Sequence, residues 1–321
     1  MPLTFIDIER RKNWRITVFF LLLLLMYFIV TVLLAASLVA RPSEASAGFW
    51  AGAFLFSLSV AGVHFWLSTA GAVDRILLTL GAQSPDSTDG IHRIFRNVMQ
   101  EMHVVTGSRR SIRAAVIPSL SLNALAAADL KGNAVIAITE GLLSRLSRPQ
   151  IEAVVAHEAH HVLSGDCLET TVAASLFGTY SAIMEKVTRA TRGRIFASPV
   201  VLLAWLLLTL SRLLNLFISR EREYRADAAS VRMTRNPVAL AETLHLLSRS
   251  WRGAGFIGDG HEMLCIVNPK FSLFDETEGL VANLLSTHPP LGKRMSVLLR
   301  MARVSITELD RRAERRDNDH A

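Results

Sequence analysis

Two long uncharged stretches dominate the first quarter of the chain. Residues Ile16 to Ala40 and Phe49 to Val73 each run for about 25 residues, enough helix to cross a bilayer with some tilt. Arg10, Arg11, Lys12 and Arg15 precede the first run, and Arg75, Arg93 and Arg96 follow the second. The short loop 41–48 carries one positive and one negative charge. The positive-inside rule therefore places the N-terminus, and the chain beyond residue 74, in the cytoplasm. Ala45-Ser46-Ala47 resembles a signal-peptide cleavage site. The first run is longer than a signal-peptide core, however, and a second run follows at once, so a membrane hairpin is expected. His64 inside the second run reads as a neutral histidine facing a neighbouring helix.

From residue 74 the pattern turns globular. Gly81 to Gly90 is a polar loop, and Ile91 to Thr106 has apolar residues at helical spacing. Arg113 to Ile117 and Ala134 to Thr139 read as strands, with Leu120 to Leu130 between them. Ser147-Arg148-Pro149-Gln150 combines a capping box with a first-turn proline. A helix is predicted to start there and to run to Gly165. A second hydrophobic pair follows, Thr170 to Met184 and Ile195 to Ser219. Its connecting turn carries Lys186, Arg189, Arg192 and Arg194 against one glutamate. That charge opposes two full crossings, and a dip into the membrane competes with two ordinary spans. Residues 220 to 321 include a glycine-rich loop (RGAGFIGDG), a strand at Met263 to Val267 and a helix at Leu291 to Val304. Arg311 to Ala321 is charged and expected to fray.

Composition narrows the class. Half of the 321 residues are apolar and only 20% are charged, too few for an ordinary soluble domain. The net charge of +7 points to an anionic partner, and in so apolar a chain the lipid surface comes before nucleic acid. No basic–aromatic interleaving suits nucleic acid. The two cysteines, Cys167 and Cys265, are far apart and form no disulfide framework.

The chemistry concentrates in Val154 to Asp166, VVAHEAHHVLSGD. On a helix, residues four apart share a face, so His157 and His161 can reach one metal ion. A His157–His160 pair is also geometrically allowed, but it leaves Glu158 without a role. In HExxH the glutamate after the first ligand addresses the water at the metal. A third ligand is expected. Cys167 stands where the longer metzincin pattern has histidine, and a thiolate there is one option. The other lies in SREREYRADAAS, residues 219 to 230. Glu223 and Asp227 share a helix face, so Glu223 can ligate while Asp227 accepts the second N–H of a ligating histidine. An ordinary charged helix competes, since Arg220, Arg222 and Arg225 are interleaved. Two crossings of the membrane, or none, return the chain between His161 and Glu223 to one side. Both ligand sets then lie close to the cytoplasmic membrane surface.

Taken in order, the membrane hairpin, Asn123-Ala124-Leu125-Ala126, HEAHH, the hydrophobic pair, SREREYRAD, MLCIVNP and STHPPLGKRM resemble an HtpX-type membrane zinc metallopeptidase, a group related to the CaaX prenyl proteases. The resemblance implies one Zn2+ held by His157, His161 and Glu223, with Glu158 as catalytic acid/base. It puts Asp227 behind the ligands and Asn123 beside the cleft. His288 and Arg294 fall in the HPPxxxR pattern as supporting groups or oxyanion stabilisers. The expected fold is mainly α with a small β-sheet, a zincin-like metallopeptidase with up to four transmembrane helices. Its parts are the hairpin 1–73, a cytoplasmic part 74–169, the hydrophobic pair 170–219, and a second cytoplasmic part 220–321. Ala134 to Thr139 is expected at the sheet edge, aligning an extended substrate by β-addition, with an interior core strand as the alternative. The implied function is a zinc endopeptidase of the bacterial-type inner membrane, cleaving membrane or misfolded proteins in quality control under stress. Its partners would be membrane lipid and polypeptides, not nucleic acid. A dedicated CaaX or signal-peptide processing protease and an inactive scaffold are the alternatives. An intramembrane protease is disfavoured by Glu152, Glu158 and Asp166 on the histidine helix.

Overall fold

The computed structural model describes residues 46–107, 111–175, 220–250, 265–266 and 289–319, with scattered positions between 17 and 32. Residues 176–219, the glycine-rich loop, most of Met263 to Val267, and His288 lie outside the described residues. The chain forms two compact units, one of Met1–Ala72 with Thr171–Asn215 and one of Val73–Thr170 with Leu216–Ala321.

In the first unit the described positions between 17 and 32 are helical, and α1 spans Ala47–Thr69. Ser46 caps α1, its hydroxyl accepting from Phe49 N. Polar side chains join the two segments: Tyr27 Oη meets His64 Nδ1 at 2.6 Å, and Ser57 donates to Thr31 Oγ1 at 3.0 Å. Phe20 and Phe28 pack edge-on against Phe65 and Phe54. The predicted neighbour of His64 is thus Tyr27. The opposite surface of α1 is apolar, with Leu55, Phe56, Trp66 and Leu67 each more than half exposed. A solvated surface of that kind is unfavourable, whereas lipid satisfies it. Among the described residues α1 alone is long and apolar enough to cross a membrane.

In the second unit, α2 (Ala72–Thr79) and α3 (Gly90–Val105) lead into a three-stranded sheet. Asp89 caps α3 by accepting from the backbone N–H groups of Ile91 and His92. The strands are β1 (Arg113–Ile117), β2 (Ala124–Ala128) and β3 (Ala134–Thr139). Their order is β1-β3-β2, with β1 parallel and β2 antiparallel to β3. The expectation that Ala134 to Thr139 forms an edge fails, because β3 is the centre and is buried throughout. Its continuous apolar run AVIAIT fits a strand covered on both faces. The outer side of β2 is met by a short bridge from Leu125 to Cys265, with Ile266 N donating to Ala124 O at 2.8 Å.

A short helix α4 (Glu140–Leu143) follows β3 directly, capped by Thr139. Helix α5 spans Arg148–Ser164, and Gly165 ends it in the left-handed conformation at φ 75°. Gln150 returns its side chain to Ser147 N at 3.0 Å, as the capping box predicts. After residue 219 come α6 (Arg220–Thr234) and α7 (Pro237–Ser250). The last two helices are α8 (Leu291–Ala302) and α9 (Ile306–Asp319). Helix α9 runs on through Arg311 to Asp319, where fraying was expected. One apolar core joins α3, the sheet, α5, α7 and α8, with Phe95, Ile136, Ile151, Leu240 and Leu298 essentially inaccessible.

Candidate metal centre

Helices α5 and α6 pack side by side on small residues. Ala153 and Ala156 of α5 and Ala226 and Ala229 of α6 are all buried. Ser230 donates across the contact to Ala153 O at 2.7 Å. Side chains this small let the backbones approach, so that longer groups one turn along can meet. On α5 those groups are His157 and His161; on α6 they are Glu223 and Asp227, each pair four residues apart.

One ligand atom from each of His157, His161 and Glu223 lies within 4.8 Å of the others. His157 Nε2 is 3.6 Å from Glu223 Oε2, and His161 Nε2 is 3.6 Å from Glu223 Oε1. These gaps are too long for hydrogen bonds. Each gap is close to the roughly 3.4 Å that separates two ligands lying about 2.0–2.1 Å from one zinc ion. Two imidazoles and a carboxylate are also a zinc donor set.

The polar surroundings favour the same fit. Asp227 Oδ1 lies 3.0 Å from His157 Nδ1, off the ideal hydrogen-bond direction. On the other side of the ring, Nε2 faces Arg294 Nη2 at 3.5 Å. A carboxylate at Nδ1 and a donor at Nε2 together hold the proton on Nδ1 and leave the Nε2 lone pair for a metal. Burial alone would lower the pKa of His157, but contacts with Asp227 and Glu223 outweigh it and push it up to about 9, so a metal ion would take up Nε2 by displacing a proton from it. Glu158 is 2% exposed, and its Oε1 has no hydrogen-bond partner. A buried carboxyl oxygen in that position calls for a ligand or a water. Burial also raises the Glu158 pKa, making it a proton acceptor of useful strength.

Arg294, in the first turn of α8, is fully buried. It reaches Asp227 through two hydrogen bonds, Nε to Oδ2 at 2.9 Å and Nη2 to Oδ1 at 2.7 Å. Its Nη1 lies 3.0 Å from Glu223 Oε2 and donates to Ile266 O at 3.4 Å. The backbone of Ile266 thus links Arg294 to the outer side of β2. These contacts turn the guanidinium toward the ligand carboxylates. All three guanidinium nitrogens already face protein groups, an arrangement that fits the supporting role expected of Arg294 from sequence.

Asn123 is buried just before β2, accepting from Ala124 N through Oδ1; its N–H donates to Thr139 Oγ1, and its carbonyl accepts from Thr139 N. It is not among the converging ligand atoms. Cys167 belongs to the apolar core, and His160 stands half-buried beside His161. Neither joins the ligand group among the described residues. The sequence assigns no role at the centre to Asp166, Glu169 or Arg222, yet they form an ionic cluster next to His161, with Arg222 and Glu169 buried and Asp166 partly exposed. Only the flanking Gly165, whose left-handed turn redirects the chain, hinted that Asp166 would face back toward the helix.

Comparison with known proteins agrees with this geometry. Residues 85–302 match the family described as Peptidase family M48. A Protease HtpX homolog of Salinibacter ruber is 30% identical over 258 residues, covering 78% of this chain and 87% of that one. A Protease HtpX homolog of Thermococcus kodakarensis is 32% identical over 266 residues, covering 78% and 85%. The crystal structure of S. mikatae Ste24p matches at a TM-score of 0.47 and 16% identity, over 76% of this chain and 58% of that one. That likeness is too distant to carry an argument. The family match and the identities show that this membrane-associated chain belongs to peptidase family M48 and is a metallopeptidase of the HtpX type.

Proposed function

We propose that the protein is a multi-pass membrane zinc endopeptidase that cleaves membrane or misfolded proteins, with its metallopeptidase unit in the cytoplasm. The observation that carries the reading is the convergence of His157, His161 and Glu223 beside the unpartnered Glu158 Oε1. In this reading His157, His161 and Glu223 hold one zinc ion. When bound, zinc acidifies a water and polarises the scissile carbonyl.

The chain supplies the rest. Glu158 takes the proton of the attacking water and passes it to the leaving amine. Its burial raises its pKa and so makes it a stronger proton acceptor than an exposed carboxylate. Asp227 keeps the His157 proton on Nδ1, and Arg294 holds Asp227 and Glu223 in place. His288, by its place in the HPPxxxR pattern, remains the oxyanion candidate. The positive residues before residue 16 and after residue 74 support a cytoplasmic metallopeptidase unit.

Purified wild-type protein and Glu158→Gln are compared on unfolded casein, with bound zinc measured in both. The reading expects about one zinc per chain in each, and cleavage slowed by about 10²–10⁴-fold in the variant. Equal cleavage by both proteins overturns it.

A further inference from the structure

Behind His157 stands a carboxylate gripped by an arginine, Asp227 with Arg294. A second arrangement of the same kind stands behind His161. Asp166 Oδ2 lies 3.8 Å from His161 Nδ1, while Oδ1 of the same carboxylate lies 3.7 Å from Arg222 Nε. Arg222 Nη1 also reaches the backbone carbonyl of Asp166 at 3.5 Å, and Nη2 donates to Glu169 Oε2 at 2.6 Å. Arg222 and Glu169 are 4% and 6% exposed, so the arginine is fixed in a dry setting where its charge must be matched.

The local chain geometry delivers these groups. The left-handed turn at Gly165 stops α5 and swings Asp166 back toward the last turn of the helix. Asp166 N then donates to Ser164 Oγ at 3.3 Å, which fixes the residue close to its parent helix. Arg222 immediately precedes Glu223, so the anchor and the third member of the ligand group sit on one turn of α6. A purely structural ion pair needs only Arg222 and Glu169, which already meet at 2.6 Å. Asp166 adds a carboxylate whose two oxygens face different partners, the guanidinium and the imidazole.

We propose that Asp166, facing an Arg222 that Glu169 anchors, is a positioning residue for His161. It keeps the His161 proton on Nδ1 and the Nε2 lone pair turned toward Glu223. At 3.8 Å the contact is too long for a hydrogen bond, so the negative charge of Asp166 acts through its field on the Nδ1–H dipole of a neutral His161. The inference rests on the zinc reading above.

The test uses full-length protein in detergent. Zinc affinity is measured by competition with a chromogenic chelator, and the visible absorption spectrum is recorded after Co2+ replaces zinc. Asp166→Asn keeps the shape and removes the charge. It is expected to weaken zinc binding by about 10–100-fold and to alter the cobalt spectrum, while Asp166→Glu restores most of both. Wild-type affinity and spectrum in Asp166→Asn overturn the inference, as does a failure of Asp166→Glu to improve on it. His161→Ala serves as the control. If it loses zinc while Asp166→Asn does not, the metal centre stands and only the role of Asp166 falls. A wild-type protein that binds no zinc overturns the metal centre and this inference with it.

Discussion

Replacing Arg294 by methionine removes the cation that lies between two buried carboxylates. Asp227 and Glu223 are 3% and 6% exposed, and Arg294 itself is inaccessible. The guanidinium contacts Asp227 at 2.7 and 2.9 Å and Glu223 at 3.0 Å. Methionine fills most of the volume, so a cavity is a minor part of the effect. The main cost is leaving buried negative charge without this partner, and breaking a buried pair in that way costs about 3–5 kcal/mol. For a unit of this size each kcal/mol is worth roughly 2–4 °C, so Arg294→Met lowers the melting temperature by about 6–20 °C. The melt is followed calorimetrically in chelator, where no metal offsets the charge. Adding zinc then recovers part of the loss, because a cation returns beside Glu223. The double variant Arg294→Met/Asp227→Asn melts higher than the sum of the single losses requires, since it removes one of the stranded charges. A single variant melting within about 2 °C of wild type, or strictly additive losses, refutes the reasoning.

Other outcomes follow from the same contacts. A Cβ on Gly141 would lie 2.2 Å from Leu120 O and 2.8 Å from Ser121 O; Gly141→Ala therefore destabilises by about 3 kcal/mol, and a wild-type melt contradicts the packing. Burial holds His160 down at about 4 against 6.5 when unfolded. As the pH falls from 6.5 toward 4 the unfolded chain binds a proton that the folded one refuses, so stability is lost across that window. His160→Gln loses less over the same range in chelator, and parallel acid curves count against this. For the hairpin, an alkaline phosphatase reporter fused after residue 44 is active outside the cytoplasm and one fused after residue 321 is not; the reverse pattern overturns the topology.

Much of this was legible in the sequence where local signals were strong. The helix of His157 and His161 announced itself by Ser147, Pro149, Gln150 and Gly165, and the structure starts and stops it there. Strands β1 and β3 were marked by branched apolar runs. Strand β2 was not, because ALAAA has the composition of a helix. It is a strand because every side chain in it is buried and small enough to lie in a crowded sheet. With β2 paired to one side of it and β1 to the other, β3 is the centre of the sheet rather than the substrate-aligning edge the sequence suggests. In the candidate centre, spacing four apart identified both helical pairs, since that depends on one helix at a time. The roles of Arg294, Asp166 and Arg222 depend on how α5, α6 and α8 meet, and no spacing within a helix carries that information.

The central claim is that His157, His161 and Glu223 form the zinc ligand set. X-ray absorption at the zinc edge of the metal-loaded Glu158→Gln variant tests it most directly, since that protein cannot digest itself. The account predicts only nitrogen and oxygen ligands at about 2.0–2.1 Å, with scattering from two imidazoles. It also predicts that Glu223→Ala loses the zinc signal. A zinc–sulfur distance near ~2.3 Å, or an unchanged signal in Glu223→Ala, would contradict it and return the third ligand to Cys167 or another group.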